Sequence, residues 1–215
     1  MIDYSLYVIT DQHLQGNRTT DQVVEEAIRG GATVIQLREK AASSRHFLEQ
    51  ALLLKTFTQK AGIPLIINDR IDIALASGAD GVHLGDEDLP IEYSRKIAQQ
   101  LIIGYSADSV ETARWAESQG VDYLGVGSVY VTSTKSDAGF PIGLQRLKEI
   151  KQAVSIPVVA IGGITLDRLD EVLATGVDGV AVVSAIVAAP SVYTATRQFR
   201  DIIDDYRMKT TTCQP

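Results

Sequence analysis

Two aspartates, Asp69 and Asp88, stand in the stretch Ile67-Asn68-Asp69-Arg70 … Gly81-Val82-His83-Leu84-Gly85-Asp86-Glu87-Asp88-Leu89-Pro90. Each follows closely on a short apolar run of β-strand character, and a helix-sized segment separates the two runs. In neighbouring strands of a parallel sheet, both carboxylates would project from the same edge. Two such oxyanions repel unless a cation lies between them, and Mg²⁺ is commonly held by one or two carboxylates completed by substrate phosphates. The same residues also fit a plainer role, with Asp69 capping the next helix and Asp88 closing a surface turn.

Other apolar runs also end in polar residues. In Val34-Ile35-Gln36-Leu37-Arg38-Glu39-Lys40, a period of two puts Gln36, Arg38 and Lys40 on one face and Ile35 and Leu37 on the other. Buried unpaired charge is costly, so Arg38 and Lys40 either meet an anion or have left the strand for solvent. The segment Gly127-Ser128-Val129-Tyr130-Val131-Thr132-Ser133-Thr134-Lys135 gathers hydroxyls and a lysine behind glycines. Such a loop can wrap anionic oxygens, or it can be a solvated polar loop. Gly162-Gly163 after one run lets backbone amides approach an anion closely, and Val183-Ser184 follows the last run. Two anion sites emerge: Arg38, Lys40 and Lys135 with Mg²⁺ on Asp69 and Asp88, and a Gly163/Ser184 pocket. A diphosphate substrate and a monophosphate substrate would fill them. No strong nucleophile stands out. Cys213 lies in a polar tail, His13 and His46 read as surface residues, His83 reads as a packed strand histidine, and no Ser/His/Asp arrangement is apparent. Chemistry driven by a metal-bound diphosphate leaving group needs no protein nucleophile.

The elements that position these residues recur along the chain. Apolar runs at Leu6–Ile9, Val34–Leu37, Leu65–Ile67, Gly81–Leu84, Ile102–Tyr105, Tyr123–Val126, Val158–Ile161 and Gly179–Val183 suit strands buried on both faces. Amphipathic stretches at 21–29, 44–60, 91–100, 109–118, 144–153, 166–174 and 191–206 suit helices. Thr20, Ser109, Thr165 and Pro190 are helix-start signals. The joints at Gly30–Val34, Ser77–Val82, Gln119–Leu124 and Thr175–Val180 share a Gly-apolar-polar pattern, which implies a repeated βα unit. Eight such units close into a single-domain (β/α)8 TIM barrel of the α/β class, expected over residues 1–207. A polar tail over 208–215 is expected to be disordered. An open doubly wound sheet is the main alternative, but no Gly-x-Gly-x-x-Gly follows the first run. In a barrel, the strand-end residues named above all face the catalytic end.

Composition narrows the partners. The chain has 215 residues, 45% hydrophobic and 22% charged, with a net charge of −7. That balance argues against nucleic acid, and no run approaches the ~18 apolar residues of a membrane span. A single cysteine, no basic-apolar leader and an ordinary composition point to the cytoplasm. The oligomeric state is not legible.

Taken in order, these motifs resemble the thiamine phosphate synthase family over nearly the whole chain. The matching segments include Tyr7-Val8-Ile9-Thr10-Asp11, Gln36-Leu37-Arg38-Glu39-Lys40, Ile67-Asn68-Asp69-Arg70, Asp80–Gly85, Glu87-Asp88-Leu89-Pro90, Gly104-Tyr105-Ser106, Asp122–Gly127, Thr132-Ser133-Thr134-Lys135, Ala160–Ile164 and Val183-Ser184. The resemblance implies a (β/α)8 enzyme that joins 4-amino-5-hydroxymethyl-2-methylpyrimidine diphosphate to a hydroxyethylthiazole phosphate, releasing diphosphate. It implies that Gln36, Arg38, Lys40, Asn68, Ser106 and Lys135 contact the aminopyrimidine diphosphate, with Arg38, Ser106 and Lys135 in catalytic roles. It implies Mg²⁺ on Asp69 and Asp88. It places the thiazole phosphate against Thr132, Ser133, Thr134, Gly163, Val183 and Ser184. The implied mechanism is dissociative, with a pyrimidine carbocation captured by the thiazole nitrogen. Two positions depart from the family pattern: Asp86 replaces the usual glutamine, and Ser128 stands where proline is frequent.

Three rivals share parts of this pattern. A thiazole tautomerase-like barrel would carry a histidine near Ser128 and lack an intact carboxylate pair. A sugar-phosphate epimerase would share only the phosphate pocket. A catalytically silent ligand-binding barrel would lack the charged strand-end residues, which here are intact.

Overall fold

The computed structural model describes residues 2–132, 134 and 140–212. Its strands are β1 (Leu6–Ile9), β2 (Val34–Leu37), β3 (Leu65–Asn68), β4 (Gly81–Leu84), β5 (Ile102–Ala107), β6 (Tyr123–Val126), β7 (Val158–Ile161) and β8 (Gly179–Val182). They pair in parallel in sequence order, and β8 returns to β1 to close the barrel. The helices are α1 (Thr20–Gly30), α2 (Ser44–Ala61), α3 (Ile71–Ser77), α4 (Ile91–Ile97), α5 (Val110–Ser118), α6 (Gly143–Ala153), α7 (Leu169–Leu173), α8 (Ser184–Val187) and α9 (Val192–Thr212).

The period of two in each strand divides the core in two. Leu6, Val8, Ile35, Leu37, Leu65, Ile67 and their counterparts pack outward against the helices in one large apolar layer. Tyr4, Tyr7, Ile9, Val34, Ile66, Tyr123, Val159 and Ala181 fill the barrel interior as a second, smaller cluster. Ile35 and Leu37 thus point at the helices while Gln36 points inward.

The joints behave as their sequence suggests, with one refinement. Gly31 (φ 105°) and Gly78 (φ 66°) end α1 and α3 in the left-handed conformation that a side chain resists. The polar residue after each such glycine accepts the N–H at the start of the preceding strand. Thr33 takes Leu6 N (3.0 Å), Asp80 takes Leu65 N (2.8 Å), Asp122 takes Ile103 N (2.7 Å) and Asp178 takes Val158 N (2.7 Å). Each aspartate also pairs with a cation from a helix: Lys55 on α2 (2.7 Å), Arg95 on α4, and Lys151 on α6 (2.6 Å). These joints precede β2, β4, β6 and β8, so the repeat spans two βα units rather than one.

Several boundaries differ from the sequence reading. The α1 cap is Thr19, one residue early, with Gln22 reaching back to its N–H. Ser191 rather than Pro190 caps α9, accepting from Thr194 N at 3.2 Å. Leu166–Arg168 forms a single 3-10 turn before α7, and α8 is an extra short helix between β8 and α9. The α9 helix continues past Arg207 to Thr212, so the first residues of the expected tail are helical; Cys213 to Pro215 lie outside the described residues.

Candidate active site

The carboxyl ends of the strands surround a cavity of about 460 Å³. Its wall includes Gln36, Arg38, Lys40, Asn68, Asp69, Asp88, Ser106, Thr132, Thr134, Gly163, Val183 and Ser184. Twelve of the fourteen residues singled out from the sequence therefore share one chamber; the other two, Ser133 and Lys135, lie outside the described residues.

Asp69 and Asp88 occupy the ends of adjacent strands, since β3 and β4 pair with Asn68 opposite His83. Asp69 has φ 64°, and it is the sole non-glycine residue at positive φ among the described residues. An aspartate tolerates that region better than most residues but still at a cost, and such backbone tends to collect at functional sites. Asp69 is not the cap of α3: that position is Arg70, which makes no side-chain cap bond. Its carboxylate instead pairs with Lys40 Nζ at 2.6 Å. Asp88 does close a turn, accepting Gly85 N at 2.7 Å. It also faces Asp69. Burial pushes the Asp88 carboxyl up from its usual range, the Gly85 N–H partly offsets this, and the neighbouring Asp69 charge raises it further. Two carboxylates in mutual repulsion, with an ammonium already drawn to one of them, form a donor set suited to a hard divalent cation.

Asp86 lines the same cavity. Its charge, together with that of Asp88, helps burial hold the Tyr105 phenol above its ordinary range. Among the described residues no three acidic, histidine or cysteine side chains converge as a metal-ligand set, so Asp86 adds field at the mouth without completing a three-carboxylate cluster.

Arg38 has left β2, which ends at Leu37, yet it has not turned to solvent. Its N–H donates to Thr10 Oγ1 at 3.1 Å, and its guanidinium pairs with the buried Asp11 carboxylate at 3.3 Å. The polar end of β1 thus exists to aim Arg38. Glu39, one residue on, points away from the cavity. It is buried, its Oε2 has no hydrogen-bond partner among the described residues, and burial raises its pKa. His13 and His46 are exposed, as expected.

The opposite wall is built by backbone. The β6–α6 loop runs beside β7, with Val129 N donating to Ile161 O (2.9 Å) and Tyr130 N to Gly162 O (3.0 Å). A Cβ on Gly163 would lie 2.7 Å from Val131 O and 2.8 Å from Tyr130 Cβ. Gly163 is therefore required by the close approach of this loop, whatever it binds. Arg168 stacks on the Tyr130 ring at 4.5 Å, and the Tyr130 hydroxyl donates to Glu171. These contacts hold Thr132 and Thr134 beside Gly163 at the cavity wall.

One contact was not foreseen: Ser106 Oγ lies 3.0 Å from His83 Nε2, while His83 Nδ1 lies 3.0 Å from the Tyr123 hydroxyl. His83 is not merely packed: it is partly exposed and lines the cavity with Tyr7 and Tyr123. The signal was present in the sequence, since a period of two puts His83, Ser106 and Tyr123 on the inner faces of β4, β5 and β6. Which of these touch could not be read without the barrel closure.

Comparison with known proteins agrees with this geometry. The family described as thiamine monophosphate synthase matches residues 6–186. A thiamine-phosphate synthase from Chloroflexus aurantiacus is 50% identical over 203 residues, covering 94% of each chain. One from Moorella thermoacetica is 47% identical over 210 residues, covering 97% of this chain and all of its own length. A solved structure of thiamine phosphate pyrophosphorylase from Pyrococcus furiosus superposes with a TM-score of 0.89 at 46% identity, covering 95% of this chain and 98% of that one. With its barrel closed and its carboxylate pair and cations gathered at one mouth, the chain belongs to the thiamine monophosphate synthase family.

Proposed function

We infer that the protein is a Mg²⁺-dependent thiamine phosphate synthase, acting on aminopyrimidine diphosphate and thiazole phosphate. The observation that carries this reading is the gathering of Asp69, Asp88, Lys40 and Arg38 on one side of a single cavity, opposite Thr132, Thr134, Gly163 and Ser184. One side suits a diphosphate with its cation and the other a single phosphate. Identity near one half over nearly the full length of two named synthases supports the same assignment.

Asp69 and Asp88 would hold the metal, which supplies charge neutralisation for the departing diphosphate. Arg38, oriented by Thr10 and Asp11, and Lys40 flank the diphosphate oxygens, with Lys135 as a third cation. Gln36, Asn68 and Ser106 receive the pyrimidine ring. The phosphate of the second substrate lies against Thr132, Ser133, Thr134, Gly163, Val183 and Ser184. The loops after β7 and β8, with a short extra helix such as α8, form the usual phosphate site of this architecture. The C–O bond to diphosphate breaks with its electron pair leaving on oxygen, and the thiazole nitrogen donates its pair to the resulting carbocation. No protein group enters the bond changes. Proximity of the two rings and fixed positive charge around the leaving group carry the catalysis. The reading places the reaction in the cytoplasm, a setting in which the single cysteine needs no partner.

The test is a product assay with Mg²⁺ and both substrates. Diphosphate and thiamine phosphate are expected in equal amounts, with neither formed when one substrate is withheld. Diphosphate release without thiamine phosphate would overturn the assignment.

A further inference from the structure

Arg18 lies in the loop from β1 to α1, one residue before the Thr19 cap. Its guanidinium reaches four main-chain carbonyls. Nε donates to Gln15 O at 3.0 Å, Nη2 to Val187 O at 2.8 Å, and Nη1 to Ala189 O at 2.8 Å and to Pro190 O at 3.4 Å. Three of these acceptors stand at the end of α8 and in the turn to α9, 169 to 172 residues along the chain. Bonds from an ionised donor are the strong ones, and a fork of N–H groups can span two acceptors at once.

The α8 helix needs such a hold. Its four residues, Ser184–Val187, make a single turn. Closing one turn orders several residues for one hydrogen bond, so a lone turn is not stable by itself. Ile186 and Val187 are fully buried and anchor one side of it. The carbonyls at its carboxyl end have no donor within the helix, and a cation there also complements the helix dipole. Arg18 supplies both. The start of the turn is tied to its end: Val183 O accepts Ile186 N (3.1 Å) and Val187 N (2.8 Å), and Ser184 O accepts Ala188 N (3.1 Å). A shift at the carboxyl end therefore carries Val183 and Ser184 with it, and these two line the cavity. Arg18 itself does not line the cavity.

The other end of the same loop serves the opposite wall. Thr10 and Asp11 hold Arg38 at 3.1 and 3.3 Å. Between the two ends the loop is braced internally. Asp11 accepts Leu14 N at its carbonyl (3.0 Å) and His13 N at its carboxylate (3.0 Å), and Thr20 Oγ1 donates to Gln15 Oε1 (3.3 Å).

We propose that Arg18 is a positioning residue for the second substrate: by gripping the carbonyl end of α8 it sets where Val183 and Ser184 meet the thiazole phosphate. Asp11, at the other end of the loop, aims Arg38 at the diphosphate. One loop thus serves both halves of the cavity, each through a different side chain. The inference rests on the proposed binding of thiazole phosphate at the Gly163/Ser184 wall.

Steady-state kinetics on two variants test the division of labour. Arg18→Ala should raise KM for thiazole phosphate about tenfold and leave KM for aminopyrimidine diphosphate unchanged. Asp11→Asn should give the reverse split. Arg18→Lys keeps the charge but not the fork, and should raise KM for thiazole phosphate about threefold; it carries the test if Arg18→Ala does not fold. Both KM values rising together in the Arg18 variants would mean that Arg18 only stabilises the loop, and that result, like no rise at all, would overturn the positioning role. Hydrogen exchange on ligand-free protein tests the grip without any substrate. Amides over 183–190 should exchange faster in the Arg18 variants, with those of β2 at the parent rate. Unchanged exchange over 183–190 would overturn the hold on α8 whatever the protein binds. Failure of the substrate assignment is separately visible: calorimetry with wild-type protein, Mg²⁺, diphosphate and thiazole phosphate would then detect no binding of the thiazole. That would overturn the substrate role of Arg18 while the exchange result still stood.

Discussion

The two ends of this barrel use the same residue type for opposite purposes. At the amino-terminal end Asp80, Asp122 and Asp178 each accept a backbone N–H and pair with a helix cation. A backbone N–H and a cation together hold each of these carboxylates, and none of the three aspartates is at positive φ. At the carboxyl end Asp69 and Asp88 face each other, one with positive φ and the other with a raised pKa. Local satisfaction at the floor joins strands to helices. At the mouth Lys40 and the Gly85 N–H only partly offset the repulsion between the two carboxylates, which under the proposed function a bound cation would relieve. An aspartate is therefore informative through what its neighbours leave undone, not through its identity.

The largest expected effect lies at the mouth. Asp69→Asn keeps a residue that tolerates positive φ but removes charge from the carboxylate pair. Turnover should fall about a hundredfold or more, the scale on which transition-state electrostatics are lost. Its urea midpoint should match the parent. Retained turnover with an unaltered Mg²⁺ requirement would remove Asp69 from the metal site and erase the contrast between the two ends.

A smaller effect, of the opposite kind, is expected at the floor. Asp80→Ala leaves Leu65 N without its acceptor and Lys55 without its partner. Stability should drop by about 1–3 kcal/mol in a urea titration, with kcat unchanged in the folded protein. A loss of kcat at full stability would mean that the two ends are coupled. Lys55→Ala sharpens the comparison, because Leu65 N keeps Asp80 as acceptor and only a partly exposed ion pair is lost. Its cost should be about 0.5–1 kcal/mol, measured in the same titration. If it equals the cost of Asp80→Ala, the ion pair rather than the backbone bond holds the joint.

Much of this architecture was legible because barrel strands and helices leave different periods in a sequence. All eight strands fall where short β-branched runs predict them, and the joint glycines mark the helix ends. Gln36, Arg38 and Lys40 were assigned to one face by alternation alone, and all three line the cavity. Short elements were less visible. The four residues of α8 carry too few turns for a helical period to register, and α8 also follows directly on β8, whereas α7 was read within a longer 166–174 helix whose first turn is 3-10. The two-unit repeat was hidden because Thr33 stands in the first joint where the other three carry aspartate. The role of Asp11 was invisible, since its partner Arg38 lies on another strand.

By itself the sequence determined which residues face inward and, to within two residues, where each strand stops, and hence which side chains stand at the mouth. These follow from local rules, the alternation of a strand and the conformational freedom of glycine. Only the tertiary structure decided what those side chains do to one another. The Asp69–Asp88 repulsion, the Arg38–Asp11 pairing and the grip of Arg18 on the end of α8 join residues far apart in sequence. Their distances are set by closure of the sheet, and hydrogen bonds and electrostatic fields act across that closed space, not along the chain.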